Sequence, residues 1–461
     1  MEQIKINEEE ARRASKEYFG GDELAAQVWV NKYALKDSQG NLYERTPADM
    51  HWRLAREIAR VERKYPNPLS EQELFDLFDH FRYIVPQGSP MTGIGNNFQV
   101  SSLSNCFVIG VDGEADSYGG IFKIDEEQVQ LMKRRGGVGH DLSHIRPEGS
   151  PVKNSALTST GIVPFMERYS NSTREVAQGG RRGALMLSVA IKHPDSEKFI
   201  DAKMVQGKVT GANVSVKIDD EFMRAVEGEG LYTQQYPVYS NDPMVSQQVN
   251  AKALWNKIIH NAWSSAEPGV LFWDTILRES VPDCYADLGY RTVSTNPCGE
   301  IPLCPYDSCR LLAINLYSYV EKPFTAQARF NFDLFRKHVG LAQRIMDDII
   351  DLDLLSPEES YSYLSGIVSK DLLVKFDVED VSSLKEGYGM YSPFRNSELK
   401  AEEYSLKSYD ISNFKPVGVS MPESGKWIDI TPIVEKYSGE SLSTKIFETI
   451  NKEKFQEHGI G

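Results

Sequence analysis

The chain has 461 residues, 41% hydrophobic and 25% charged, the balance of a soluble globular protein with one large domain or two to three ordinary ones. A formal net charge of −15 argues against bulk nucleic-acid binding, which needs a basic surface, but still allows a nucleotide phosphate to be held by a few local cations and backbone N–H groups. The charged N-terminus lacks a signal-peptide core, no stretch approaches the roughly 20 apolar residues of a membrane span, and five cysteines make no disulfide framework, so a cytosolic protein with structural, metal-binding or redox-active thiols is expected.

Residues 1–21 read as a polar leader, and 22–83 as helical. DELAAQVWVNKYAL, TPADMHWRLAREIARVERKY and LSEQELFDLFDHFRYI each place apolar residues at three- and four-residue steps behind a capping Asp, Thr or Ser. PQGSPMTGIGNN, rich in Gly, Pro, Ser and Asn, predicts a loop, and CFVIGV a short buried strand. Helical spacing returns over 118–134 and is broken by RRGGVGHDLS. ALMLSVAI and ANVSVKI then read as strands alternating with helical runs near VPFMERYSNST and DSEKFIDAKM, which implies an α/β architecture with a largely parallel sheet. VNAKALWNKIIHNAW and FDLFRKHVGLAQRIMDDIIDLDLL are the longest later helices. The expected organisation is a helical region over 1–85, an α/β region over 86–354 and a separate, less legible tail over 356–461.

Four of the five cysteines fall between residues 284 and 309, the fifth being Cys106. Within STNPCGEIPLCPYDSC, Asn296, Cys298 and Glu300 alternate around Pro297 and Gly299. In an extended loop alternate residues share a side, so an amide, a thiol and a carboxylate would converge on one ligand. That trio suits radical or acid–base chemistry on a hydroxylated substrate: the S–H bond is weak, the carboxylate takes a hydroxyl proton, and the amide holds a neighbouring hydroxyl. Gly299 would let the substrate approach the backbone. A buried structural thiol and a zinc site are the competing readings, although the spacing of Cys298, Cys304 and Cys309 lacks the tight CxxC pairs of structural zinc.

The run NPCGE, followed by a second cysteine leading into an INL strand, resembles the finger loop of the ribonucleotide reductase large subunit. SSLSNCFVIG, KRRGGVGHDLSHIRPEGSPV, AQGGRRGALMLSVAIKHPD and EPGVLFWD resemble further segments of that family in the right order, over roughly residues 22–354. The resemblance implies the first half of a ten-stranded α/β barrel behind a mainly helical N-terminal region. It makes Cys298 the thiyl radical that takes the substrate 3′ hydrogen, and Cys106 with Cys309 the dithiol that reduces the 2′ position. Glu300 would take the 3′-hydroxyl proton and Asn296 would hold the substrate, with Ser89, Ser104 and Gly299 as further substrate contacts. Cys284 and Cys304 match no family role. Asp116, Ser117 and Arg146 would meet a dNTP or ATP effector, with Gln178 and Arg182 in the loop that joins effector to substrate.

The family further implies a ribonucleoside diphosphate substrate, a thioredoxin-type reductant, a homodimer, and a radical from adenosylcobalamin or from a separate dimetal subunit. After residue 354 the second half of the barrel, the substrate-phosphate turn and a C-terminal CxxC pair are not recognisable. A second polypeptide supplying the rest of the barrel, a truncated gene product, and an effector-binding chain without turnover therefore stand beside the catalytic reading.

Overall fold

The computed structural model describes residues 4–99, 101–110, 116–176 and 183–353, and the backbone of three later strands. It forms two compact units, Met1–Ile349 and Ile350–Gly461. The first unit opens with α1 (Glu8–Tyr18), in the segment expected to be a polar leader. Asn7 caps it by accepting from Glu9 N at 2.8 Å, glutamates fill its first turn, and Ala11, Ala14 and Ser15 are buried. Its buried face is made of small residues, which polar composition conceals.

Then come α2 (Glu23–Lys32), α3 (Pro47–Glu62) and α4 (Glu71–Phe78), where the helical spacing puts them. Thr46 with Asp49, and Ser70 with Glu73, form capping boxes at the starts of α3 and α4. After β1 (Ile84–Pro86) the expected loop contains a short helix, α5 (Gly88–Gly93). Pro90 lies in its first turn, where a missing N–H is tolerated. The buried Arg53 of α3 fastens it: the guanidinium donates to the carbonyls of Met91, at 3.1 Å, and of Ile94, and pairs with Glu44 at 2.7 Å.

The core is a sheet built from β2 (Cys106–Val108), β3 (Gly137–Asp141), β4 (Leu185–Ala190) and β5 (Asn213–Ile218), with α6 (Tyr118–Met132), α7 (Val163–Glu175) and α8 (Ser196–Asp201) between them. Next in the chain are α9 (Asp220–Glu227), the hairpin β6 (Leu231–Tyr236) and β7 (Val245–Asn250), α10 (Ala251–Ser265), β8 (Gly269–Phe272) and α11 (Trp273–Glu279). Short strands β9 (Ser294–Thr295), β10 (Pro302–Leu303), β11 (Ser308–Cys309) and β12 (Leu312–Ile314) precede α12 (Phe332–Asp353).

The sheet order is β11-β2-β3-β4-β5-β8, parallel from β2 to β8, with β11 antiparallel to β2. This is a partial α/β barrel, not closed among the described residues. Every residue of β3 and β4 is buried, which explains why the β4 segment LMLSVA is almost uniformly apolar. On β3, His140 packs edge-on against Tyr169 of α7 and meets Gln128 of α6 at 3.1 Å. Burial pushes its pKa down to about 3, so it sits there as a neutral ring.

In the second unit, Leu373–Asp377, Lys415–Ser420 and Trp427–Asp429 form an antiparallel three-stranded sheet. One of these strands lies in the turn-rich stretch FKPVGVSMPESGKW, whose prolines and glycines obscure it, and another begins at its last residue. Among the described residues no helix is long and apolar enough to cross a membrane.

Arg53→Met is expected to lower the unfolding free energy by about 3–5 kcal/mol, because Glu44 is left as a buried, unpaired carboxylate. Urea denaturation measures it; a loss under about 1 kcal/mol would show that the pair does not hold α5 in place.

Candidate active site

β9 and β10 form a small hairpin, with Pro302 opposite Thr295 and Leu303 opposite Ser294. At its tip the Gly299 N–H donates to the Asn296 carbonyl at 3.0 Å, closing a turn over Asn296-Pro297-Cys298-Gly299. Asn, Pro and Gly at these places are what a four-residue turn favours. Gly299 has φ +88°, the left-handed region that a side chain disfavours. The finger is therefore folded at Cys298 instead of extended through it. Alternation does not bring Asn296 and Glu300 together; the turn does. Asn296 is fully buried, its Nδ2 donates to Glu300 Oε1 at 2.8 Å, and its Oδ1 accepts from Ile301 N at 3.0 Å.

The hairpin lies across β3, and two glycines permit it. A Cβ on Gly137 would meet Pro297 Cγ at 2.7 Å, and one on Gly139 would collide with the Thr295 carbonyl oxygen. The glycines that break the helical spacing in RRGGVGHDLS thus open a strand whose side chains are absent where another backbone crosses it. Below the hairpin, Ser188 Oγ lies 3.0 Å from Ser294 Oγ and donates to Asp141 at 3.0 Å.

β11 turns back onto β2 in a register that sets Cys309 directly opposite Cys106. Directly opposed residues of an antiparallel pair have Cα atoms about 4.5–5.5 Å apart, within the range a disulfide spans. Both thiols are buried and neither is in a disulfide. Hydrogen bonding to Cys106, then burial, then the nearby Glu300 charge push the Cys309 thiol far above its usual range, so it is protonated at neutral pH. Asn296 Nδ2 lies 3.6 Å from Cys106 Sγ, so one amide touches both the dithiol and the carboxylate. Cys298 stands exposed at the turn.

Ser104, fully buried, reaches Ser308 Oγ at 3.4 Å and so bridges β2 and β11 beside the cysteines. Ser89 is buried in α5, which the β1–β12 pairing and a Gln87 N–H to Leu311 carbonyl bond of 3.0 Å keep beside the same edge. Cys304 is buried, and burial together with Asp307 pushes its pKa up to about 12; Cys284 is exposed. Among the described residues no group of three or more His, Cys, Asp or Glu is placed to hold a metal.

A second cluster joins Asp116 to Arg146: the carboxylate accepts from Arg146 N at 3.0 Å and Nε at 2.8 Å. Tyr236, which the sequence did not single out, places its hydroxyl 2.9 Å from the same carboxylate. Ser117 caps α6 by accepting from Gly120 N at 3.0 Å. Gln178 and Arg182 lie outside the described residues.

The family model for the ribonucleotide reductase barrel domain matches residues 104–362, and that for the all-alpha domain of ribonucleotide reductase matches residues 19–92. A vitamin B12-dependent ribonucleoside-diphosphate reductase of Mycobacterium tuberculosis (strain CDC 1551 / Oshkosh) is 33% identical over 71% of this chain and 45% of its own length. A protein of the same name from Thermoplasma acidophilum is 27% identical over 92% of this chain and 65% of its own length. A ribonucleoside-diphosphate reductase subunit alpha of Chlamydia pneumoniae is 25% identical over 74% and 36% respectively. The chain thus spans less than two thirds of the length of these relatives.

The register predicts that mild oxidation joins Cys106 to Cys309 and to no other thiol, read as one cross-linked peptide that vanishes in Cys309→Ser. Cross-links scattered over Cys284 or Cys304 would contradict the pairing. Gly139→Ala is expected to cost about 1–3 kcal/mol in urea unfolding, since the added methyl meets rigid backbone.

Proposed function

Because the chain belongs to the ribonucleotide reductase large-subunit family, its barrel-domain model matching more than half the sequence, we propose that it reduces ribonucleoside diphosphates to deoxyribonucleotides with a thiyl radical at Cys298. The observation that carries this reading is the Cys106–Cys309 register beneath a finger that presents Asn296, Cys298 and Glu300. An effector-binding chain without turnover gives no reason for two thiols to be opposed there.

The substrate ribose lies against the finger tip in this reading. Cys298 Sγ, once a radical, takes the 3′ hydrogen atom, while the Glu300 carboxylate takes the 3′-hydroxyl proton. The 2′-hydroxyl leaves as water, its proton coming from the protonated dithiol. Cys106 and Cys309 supply two electrons and two protons in all and end as a disulfide, while Cys298 returns its hydrogen to the 3′ carbon and Glu300 returns its proton to the 3′ oxygen. A thiol kept protonated suits hydrogen donation better than nucleophilic attack, and the hydrogen bond to Cys106 with burial makes Cys309 such a thiol. Asn296 holds Glu300 in line and braces Cys106.

Vitamin B12-dependent relatives support adenosylcobalamin over a separate dimetal subunit as the radical source. The exposed Cys298, beside a Gly299 with no side chain, leaves an open face for it. Bound there, adenosylcobalamin would supply radical chemistry at the Cys298 thiol. Ser89 and Ser104, on the segments that lead into β2, are assigned to the substrate. The effector, a dNTP or ATP, is assigned to Asp116, Ser117 and Arg146, with Gln178 and Arg182 in the connecting segment; Arg146 must exchange Asp116 for a phosphate. A homodimer and a thioredoxin-type reductant complete the reading.

The test is reduction of CDP by the purified chain with a dithiol reductant, an effector and adenosylcobalamin. Turnover is expected with the coenzyme, with loss of all activity in Cys298→Ala and a fall of about 10²–10⁴ in kcat for Glu300→Gln. Coenzyme-dependent turnover that survives Cys298→Ala would overturn the assignment.

A further inference from the structure

The finger is held against the sheet at two points by one strand. β5 begins with Asn213 and carries Ser215 and Lys217 on the same face, since alternate residues of a strand share a side. Asn213 Nδ2 donates to the Pro297 carbonyl at 2.8 Å, the residue just before Cys298. Lys217 Nζ donates to the Val293 carbonyl at 3.2 Å, at the foot of β9. The two donors are four residues apart on β5, and the two acceptors are four residues apart on the finger, running the opposite way. At roughly 3.3 Å per residue the two donors stand about 13 Å apart along β5.

The foot of this arrangement is a buried ion pair. Lys217 is 3% exposed, pairs with Asp141 of β3 at 2.8 Å, and sits 4.4 Å above the Trp273 ring. Burial alone would lower its pKa, but Asp141 and Tyr239 together raise it on balance, so the ammonium stays charged. A buried charge held this rigidly is a fixed donor, unlike a surface lysine that moves with solvent. Asp141 also accepts from Ser188 and Ser143, which ties the lysine to the strands under the finger.

We propose that Asn213 and Lys217 are positioning residues that hold Cys298 in register with the Cys106–Cys309 pair, acting on the finger backbone at Pro297 and Val293. This rests on Cys298 being the reactive thiol, but the clamp itself is a property of the chain that can be read without turnover.

The experiment compares the parent 461-residue chain with Asn213→Asp, which keeps the shape and removes the donor. A second variant pairs Lys217→Met with Asp141→Asn, so that no buried carboxylate is stranded. Hydrogen–deuterium exchange is followed on peptides covering 293–303, and kcat and KM on CDP. In each variant exchange across 293–303 is expected to rise about ten-fold, as for one lost hydrogen bond, with β2 to β4 unchanged. In both, kcat falls while KM holds. Unchanged exchange in the finger, or an equal rise throughout the sheet, overturns the clamp. A parent chain that shows the exchange pattern but no turnover overturns the proposed reaction and leaves the clamp standing.

Discussion

The site depends on how closely one backbone can lie on another. The finger must cross β3 so that its tip reaches the cysteine pair, and a parallel sheet strand ordinarily presents side chains that keep a crossing chain well away. Gly137 and Gly139 remove that obstruction at the two places where Pro297 and Thr295 pass. Everything functional follows from this contact: the turn at Asn296–Gly299 is delivered over β2, and Glu300 is within reach of the amide that also touches Cys106. A strand of branched residues would make a better core and no site.

Drawing a polar hairpin into the sheet has a cost in desolvation, and the structure offsets it by supplying partners to the groups it buries. Asp141, Lys217 and Ser188 sit beneath the hairpin and join its Ser294 in one connected network, with the Thr295 hydroxyl left buried without a hydrogen-bond partner. Hydrogen bonds inside this low-dielectric region are stiff, which suits a loop whose tip has to present one thiol at one place. The thiols opposite it are managed differently. They lean on each other and on Asn296 Nδ2, and the hydrogen bond to Cys106 together with burial keeps Cys309 protonated, a form that is nearly apolar.

Much of this was legible in the sequence. Cysteine, asparagine and glutamate spacing in STNPCGE marked the finger, and ALMLSVAI marked a strand, which the structure buries on both faces. The expected extended geometry at Cys298 was replaced by a turn, because Asn-Pro-Cys-Gly is itself turn chemistry and local preference outranked period-two alternation. The helix α1 was missed because its buried face is alanine and serine, and α5 because a six-residue helix leaves no periodicity to read. Asn213, Lys217 and Tyr236 act through partners distant in the chain, a relation that one sequence does not encode. The pairing of Cys106 with Cys309 came from family likeness, and only strand register gives it a physical basis.

The central claim is that the Cys106–Cys309 dithiol, opposed beneath the finger, is the immediate source of electrons for substrate. A single-turnover experiment reads this most directly: the chain is fully reduced, freed of external thiol, and mixed with CDP, effector and adenosylcobalamin. The account predicts one deoxynucleotide for each Cys106–Cys309 disulfide formed, both products rising together. Product without that disulfide, or with a disulfide that joins other cysteines, would contradict it.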